Sequence, residues 1–184
     1  MADGIPYADL VGAADPIELL GSTPRRIAGL VSGWSSARWS LSYAEGKWTA
    51  AQIVLHLAQD EVAFGCRARL ALTEPGYVPQ TFDGDDWVAL ESPSEPVVAL
   101  AAFLALRALN IRLYRKLTEE QLARPIPHPD LGTIYVGWII RVLAGHDLHH
   151  LGHLETIAGC RRPAGPGRQE DEPRAPAMWP SASP

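Results

Sequence analysis

The stretch "GTIYVGWIIRVLAGHDLHHLGHLETIAG", residues 132–159, decides the fold. Its opening, "TIYVGWII", is β-branched and aromatic, and alone it fits a strand. The apolar positions continue at helical spacing through Leu143, Leu151, Leu154 and Ile157, a run too long for a strand. The spacing therefore predicts one helix from near Thr133 to Gly159. Successive helical residues turn by about 100°, so His146, His149, His150 and His153 share one arc of about 100°. Leu143 and Ile157 lie on the same side, so this face turns partly into the protein.

Three more segments read as long helices. In "KWTAAQIVLHLAQDEVAFGCRARLAL", Thr49 is placed to cap, and Ile53, Leu57, Phe64 and Leu72 recur at helical spacing. In "EPVVALAAFLALRALNIRLYRKLT", which follows Ser94, the apolar residues predict roughly six turns. In "STPRRIAGLVSGW", Thr23 and Pro24 form a cap and first turn. The preceding "DPIELL" repeats that arrangement with Asp15 and Pro16, so the region is either one broken helix or two. Residues 73–94, with three prolines and two glycines, read as a connecting loop with room for a short turn at Trp87. "EEQLARPIPHPDLG", also with three prolines, reads as irregular. Four main helices, with a long connection between the second and third, predict an all-α four-helix bundle over residues 15–159. A flexible amino terminus at 1–14 and a disordered Pro- and Arg-rich tail at 160–184 flank it.

The composition bounds the function classes. Of 184 residues, 47% are hydrophobic and 20% charged, a balance that supports a packed core. Lys and Arg number 16 against 21 Asp and Glu, a formal charge of -5, which gives no reason to bind nucleic acid. Arg107 and Asn110 interrupt the longest apolar stretch, so no membrane span is expected. Two cysteines, Cys66 and Cys160, make no disulfide framework, and no signal segment precedes the first helix, so a cytoplasmic protein is expected. Cys66 reads as a small buried hydrophobe. Trp34, Trp39, Trp48, Trp87 and Trp138 read as core and loop anchors, and Trp179 falls in the tail.

His146 and His150 are one turn apart, the spacing at which two imidazoles reach one ion, and so are His149 and His153. His56, in the apolar run "IVLHLA", is the leading third candidate. A polar seam without metal fits the spacing equally well. His128 reads as a loop residue. Asp60, Glu61 and Asp147 are either acceptors that orient an imidazole or surface charges, and the surface reading is preferred for Asp60.

"KWTAAQIVLHLAQDE" and "RVLAGHDLHHLGHLE" together resemble the DinB-like superfamily, whose last-helix motif is His-Asp-x-His-His-x-Gly-Gln. The resemblance covers roughly residues 15–159 and departs at His153, where glutamine is usual. It implies a divalent metal, zinc or nickel first and iron or manganese next, held by His56, His146 and His150. His149 is then a neighbour, and the pair His149 and His153 the alternative. Relatives of this kind include S-transferases and an isomerase that depend on low-molecular-weight thiols. The implied partners are a small-molecule substrate and a thiol, and bundles of this size often form homodimers. Whether the protein is a metal-dependent thiol S-transferase, a hydrolase or a non-catalytic binding bundle stays open at this point.

Overall fold

The computed structural model describes residues 5–159. Four helices form the bundle: α2 (Pro16–Val31), α4 (Ala50–Thr73), α6 (Pro96–Tyr114) and α8 (Val136–Ile157). Shorter elements join them: α1 (Ala8–Val11), α3 (Ser36–Trp39), α5 (Gly84–Glu91), α7 (Glu119–Leu122), β1 (Pro125–His128) and β2 (Gly132–Tyr135). α4 packs between α6 and α8, and α2 closes the bundle against the same two helices.

The first bundle helix is continuous. Asp15 caps it, its carboxylate accepting from the Ile17 amide at 2.7 Å, and Thr23 and Pro24 lie buried in its middle. Proline at position 24 leaves the Leu20 carbonyl without its i+4 donor. The Arg107 guanidinium supplies one from α6, at 3.2 Å. What reads locally as a second cap is therefore an interior position with a tertiary partner.

Other local expectations also shift. Residues 125–135 form an antiparallel hairpin with Ile126 opposite Ile134, both buried, so α8 begins at Val136, not near Thr133. The β-branched opening obeys its local propensity once a partner strand is present. His128 is not an open loop residue. It is buried on β1, and its Nδ1 accepts from the Asp130 and Leu131 amides at 3.1 and 3.2 Å, closing the turn. The connection after α4 contains the two-turn helix α5, capped by Asp83. Cys66 is exposed on α4, contrary to the buried reading. Val11 of α1 is buried and α1 packs on α8, so residues 8–11 add to the bundle. The expected tail, with Cys160 and Trp179, lies outside the described residues.

The apolar core falls into two halves. One gathers Leu20, Phe64, Tyr114, Ile126 and Ile140, and the other Ile27, Ile53, Leu57, Phe103 and Leu154. Between them on α4, α6 and α8 lie His56, Asp60, Glu61, Arg107, Asn110, His146, Asp147 and His150, all buried. By length and composition α6 could cross a membrane. Arg107 and Asn110 face the interior of the bundle, however, where each has several partners.

Candidate metal centre

His56 stands in the second turn of α4, and His146 and His150 project from successive turns of α8. The packing of α4 on α8 brings the three rings together. The Nε2 atoms of His56 and His146 are 3.2 Å apart, and those of His146 and His150 are 2.9 Å apart. The three side chains are buried, at 5%, 2% and 4% exposure. A tetrahedral ion with bonds of roughly 2.05 Å sets its nitrogen ligands about 3.3 Å apart, close to this spacing.

Electrostatics favours the neutral, ligating form of each ring. Burial, and then the charge of His149, lowers the His56 pKa to about 3. Burial and the neighbouring imidazoles hold His146 and His150 well below the usual histidine range. Asp60, preferred as a surface charge from sequence, is 1% exposed, and its Oδ2 lies 3.1 Å from His146 Nδ1. The contact is electrostatic: neither Asp60 oxygen nor His146 Nδ1 has a hydrogen-bond partner among the described residues, and the carboxylate beside Nδ1 favours a proton there, which leaves the Nε2 lone pair for the cluster. Burial, followed by the charges of Glu61 and Asp147, raises the Asp60 pKa, while Arg67 and Arg107 oppose the rise. A cation among the Nε2 atoms would act in the same direction as those arginines. Three buried neutral imidazoles, one of them beside a carboxylate, fit a borderline divalent ion such as Zn²⁺ or Ni²⁺.

Glu61 and Asp147 serve a different group. Arg107 Nε donates to Glu61 Oε1 at 2.9 Å, and its Nη2 donates to Asp147 Oδ1 at 2.9 Å. Thr23 Oγ1 also donates to Asp147, and Asn110 Nδ2 donates to Glu61 Oε2 at 2.9 Å. This cluster ties α2, α4, α6 and α8 together beside His146.

Aromatic side chains wall the histidines. The Trp48 ring lies 4.6 Å from His56, and Tyr43 stacks on His153 at 3.7 Å. Tyr7 lies 4.8 Å from His149 and 5.6 Å from His146. Its backbone takes a left-handed φ of 59°, and a Cβ at Gly145 would come within 2.7 Å of it. Glycine at 145 therefore admits the amino-terminal segment to the site. Gly84, at the start of α5, does the same for His56, since a Cβ there would lie 3.0 Å from the ring. Tyr7 and Gly84 carry no spacing signal in the sequence, whereas Trp48 stands at the start of the first motif. His149, half-buried, could form a second ligand group with His150 and His153. That grouping contains the alternative pair read from the sequence, and its outer members are less buried than His56 and His146.

The fold and the site define a class: a helical bundle with a buried three-histidine cluster between two of its helices. The profile of the DinB superfamily matches residues 19–154, and the chain belongs to that family. It is 31% identical over 140 residues to a protein of Oceanobacillus iheyensis named as a candidate metal-dependent hydrolase, covering 76% of this chain and 80% of that one. YfiT of Bacillus subtilis, named in the same way, is 27% identical over 145 residues, covering 77% and 82%. The solved structure of YfiT, described as a probable metal-dependent hydrolase with an unusual four-helix bundle topology, superposes with a TM-score of 0.73 over 79% of this chain and 85% of YfiT. A mycothiol-dependent maleylpyruvate isomerase shares the fold at 16% identity, with a TM-score of 0.65 over 81% of this chain and 62% of the isomerase.

Proposed function

We propose that the protein is a divalent-metal-dependent enzyme of the hydrolase type, acting on a small molecule, with His56, His146 and His150 as the metal ligands through Nε2. One observation carries the reading: three buried imidazole Nε2 atoms face one another at 2.9 and 3.2 Å. His56, His146 and His150 would hold a divalent metal, which would supply Lewis-acid chemistry at that position, lowering the pKa of a water or thiol and polarising a carbonyl. The chain's own residues prepare that position. Asp60 favours a proton on His146 Nδ1, Gly84 lets α5 approach His56, and Tyr7 and Trp48 pack beside the imidazole rings. The names of the relatives in Oceanobacillus and Bacillus favour water over a thiol as the nucleophile.

Protein purified without a polyhistidine tag should carry about one divalent ion per chain, preferably zinc or nickel, by elemental analysis. His56→Ala and His150→Ala should each lose it. The wild type should cleave at least one member of an ester and amide panel in a metal-dependent manner. Turnover only in the presence of a low-molecular-weight thiol would move the assignment to a transferase. Metal without turnover on either panel would make the protein a binding bundle. Undiminished metal in His56→Ala would overturn the ligand set.

A further inference from the structure

The bundle has a recess that the histidine cluster does not use. Between α4, α5 and α6 lies a cavity of about 550 Å³, a size suited to a small molecule. Leu55, Val62, Trp87, Val98 and Leu106 form apolar walls. Val62 and Val98 remain 50% and 62% exposed, so apolar side chains of two bundle helices meet solvent here.

Four oxygen-bearing side chains also line the recess: Gln59, Glu91, Ser94 and Glu95. Gln59 is only 5% exposed. Its Nε2 donates to the Trp87 carbonyl at 3.0 Å and to Glu91 Oε1 at 2.8 Å. Turning the amide over would set its oxygen against two acceptors, so its orientation is fixed. Gln59 Oε1 is consequently a buried acceptor without a donor. Leaving it so is unfavourable unless a ligand supplies an N–H or O–H. Glu95 occupies the N-cap position of α6, yet its side chain makes no capping bond. Glu91 is the last residue of α5, where the helix directs the negative end of its dipole. No Lys, Arg or His is found among the described residues that line the recess.

We propose that this recess binds a small molecule with a hydrocarbon body and a primary ammonium head. An ammonium group offers three donors and no acceptor, the complement of an unmet amide oxygen and two carboxylates. The hydrocarbon body displaces water from the apolar walls, and the Trp87 indole adds a face that attracts cations. An alkyl carboxylate would bring a third negative charge to the same place. A second copy of the chain would cover Val62 and Val98 but would bring no defined donor to Gln59. The proposal does not depend on the reading of the metal centre.

Calorimetric titration of the full-length, metal-loaded protein at neutral pH with hexylammonium, hexanol and hexanoate tests the assignment. Hexylammonium should bind at least about tenfold more tightly than the other two probes. Glu91→Gln and Glu95→Gln, both on the exposed rim, should each weaken it by about three- to tenfold. Ala102→Trp, which fills the recess and touches no histidine, should abolish binding, and so excludes coordination of the amine by the metal. Val98→Trp gives the same readout from the rim should the first variant fail to fold. Equal affinity for all three probes, or ammonium binding that survives the filling variants, would overturn the proposal. So would a concentration-dependent dimer that either tryptophan variant dissociates in a protein that binds no ammonium, because a second copy would then be the occupant.

Discussion

In the layer between the two apolar halves, His146 and Asp147 are adjacent on α8 yet belong to polar clusters of opposite character. Around Asp147, the positive guanidinium of Arg107 meets two carboxylates, and Asn110, Thr23 and the Leu20 carbonyl take up remaining hydrogen-bonding positions. No buried side-chain nitrogen or oxygen of Arg107, Glu61, Asp147 or Asn110 lacks a partner among the described residues. Around His146 the acceptors face one another, and the Nδ1 atoms of His56, His146 and His150 and both Asp60 oxygens are without hydrogen-bond partners among the described residues. Buried polar groups are normally satisfied, so a cluster completed by its own residues reads as structure, and one that is not reads as a site for something else. The two therefore respond differently to removal of a residue and to removal of an ion.

Breaking the closed cluster should have the largest effect. Arg107→Ala leaves Glu61 and Asp147 buried without their cation, and a loss of about 3–5 kcal/mol is expected, with or without metal, by urea denaturation. A loss below about 1 kcal/mol would show that the cluster does not hold the helices together. The open cluster should behave in the opposite way. At an ion concentration a hundredfold above its dissociation constant, the wild type should gain about 2.7 kcal/mol over the chelated protein. His150→Ala should lose that gain while its metal-free stability stays near that of the chelated wild type. If chelation changes nothing in the wild type, the cluster is a polar seam and the contrast disappears.

Asp60 joins the two regions, because its carboxylate reaches His146 while the charges of Glu61, Asp147 and Arg107 act on it. Asp60→Ala should weaken metal binding by about 10- to 100-fold without releasing it, measured by competition with a chromogenic chelator. An unchanged affinity would mean that the imidazole is held by packing alone.

The bundle was legible because its helices are long and periodic, and the ligand candidates because His146 and His150 lie one turn apart on a face that also carries Leu143 and Ile157. What the sequence obscured depends on distant partners. Thr23 and Pro24 look like a helix start because the donor that satisfies Leu20, Arg107, lies 87 residues away. Asp60 looks like a surface acid because the histidine it serves is on another helix. Arg107 and Asn110 look like interruptions of an apolar face, whereas in the bundle they point inward and Val98 and Leu109 point outward. Tyr7 reaches the site through a left-handed backbone and a glycine on α8, neither of which has a periodic signature.

His128 supplies a control for the comparison, being a buried histidine outside both clusters whose Nδ1 is satisfied by two backbone amides. Burial lowers its pKa to about 4, assisted by the charge of Arg67 and opposed by Asp130. An unfolded chain, with an ordinary histidine pKa of about 6.5, binds more protons than the folded protein between those two values. The contribution of His128 is therefore intact above pH 6.5 and is lost as the pH falls towards 4, where both states are protonated and the loss stops. The histidines of the open cluster titrate in the same direction, so the wild-type profile alone does not separate them. His128→Asn places a non-titrating carbonyl near the same two amides. The difference in unfolding midpoint between this variant and the wild type should be small at pH 7 and should grow in the variant's favour down to pH 4. A difference that stays constant with pH would show that His128 takes up its proton in the folded hairpin as readily as in the unfolded chain, and that two backbone bonds do not suffice to hold a buried imidazole neutral.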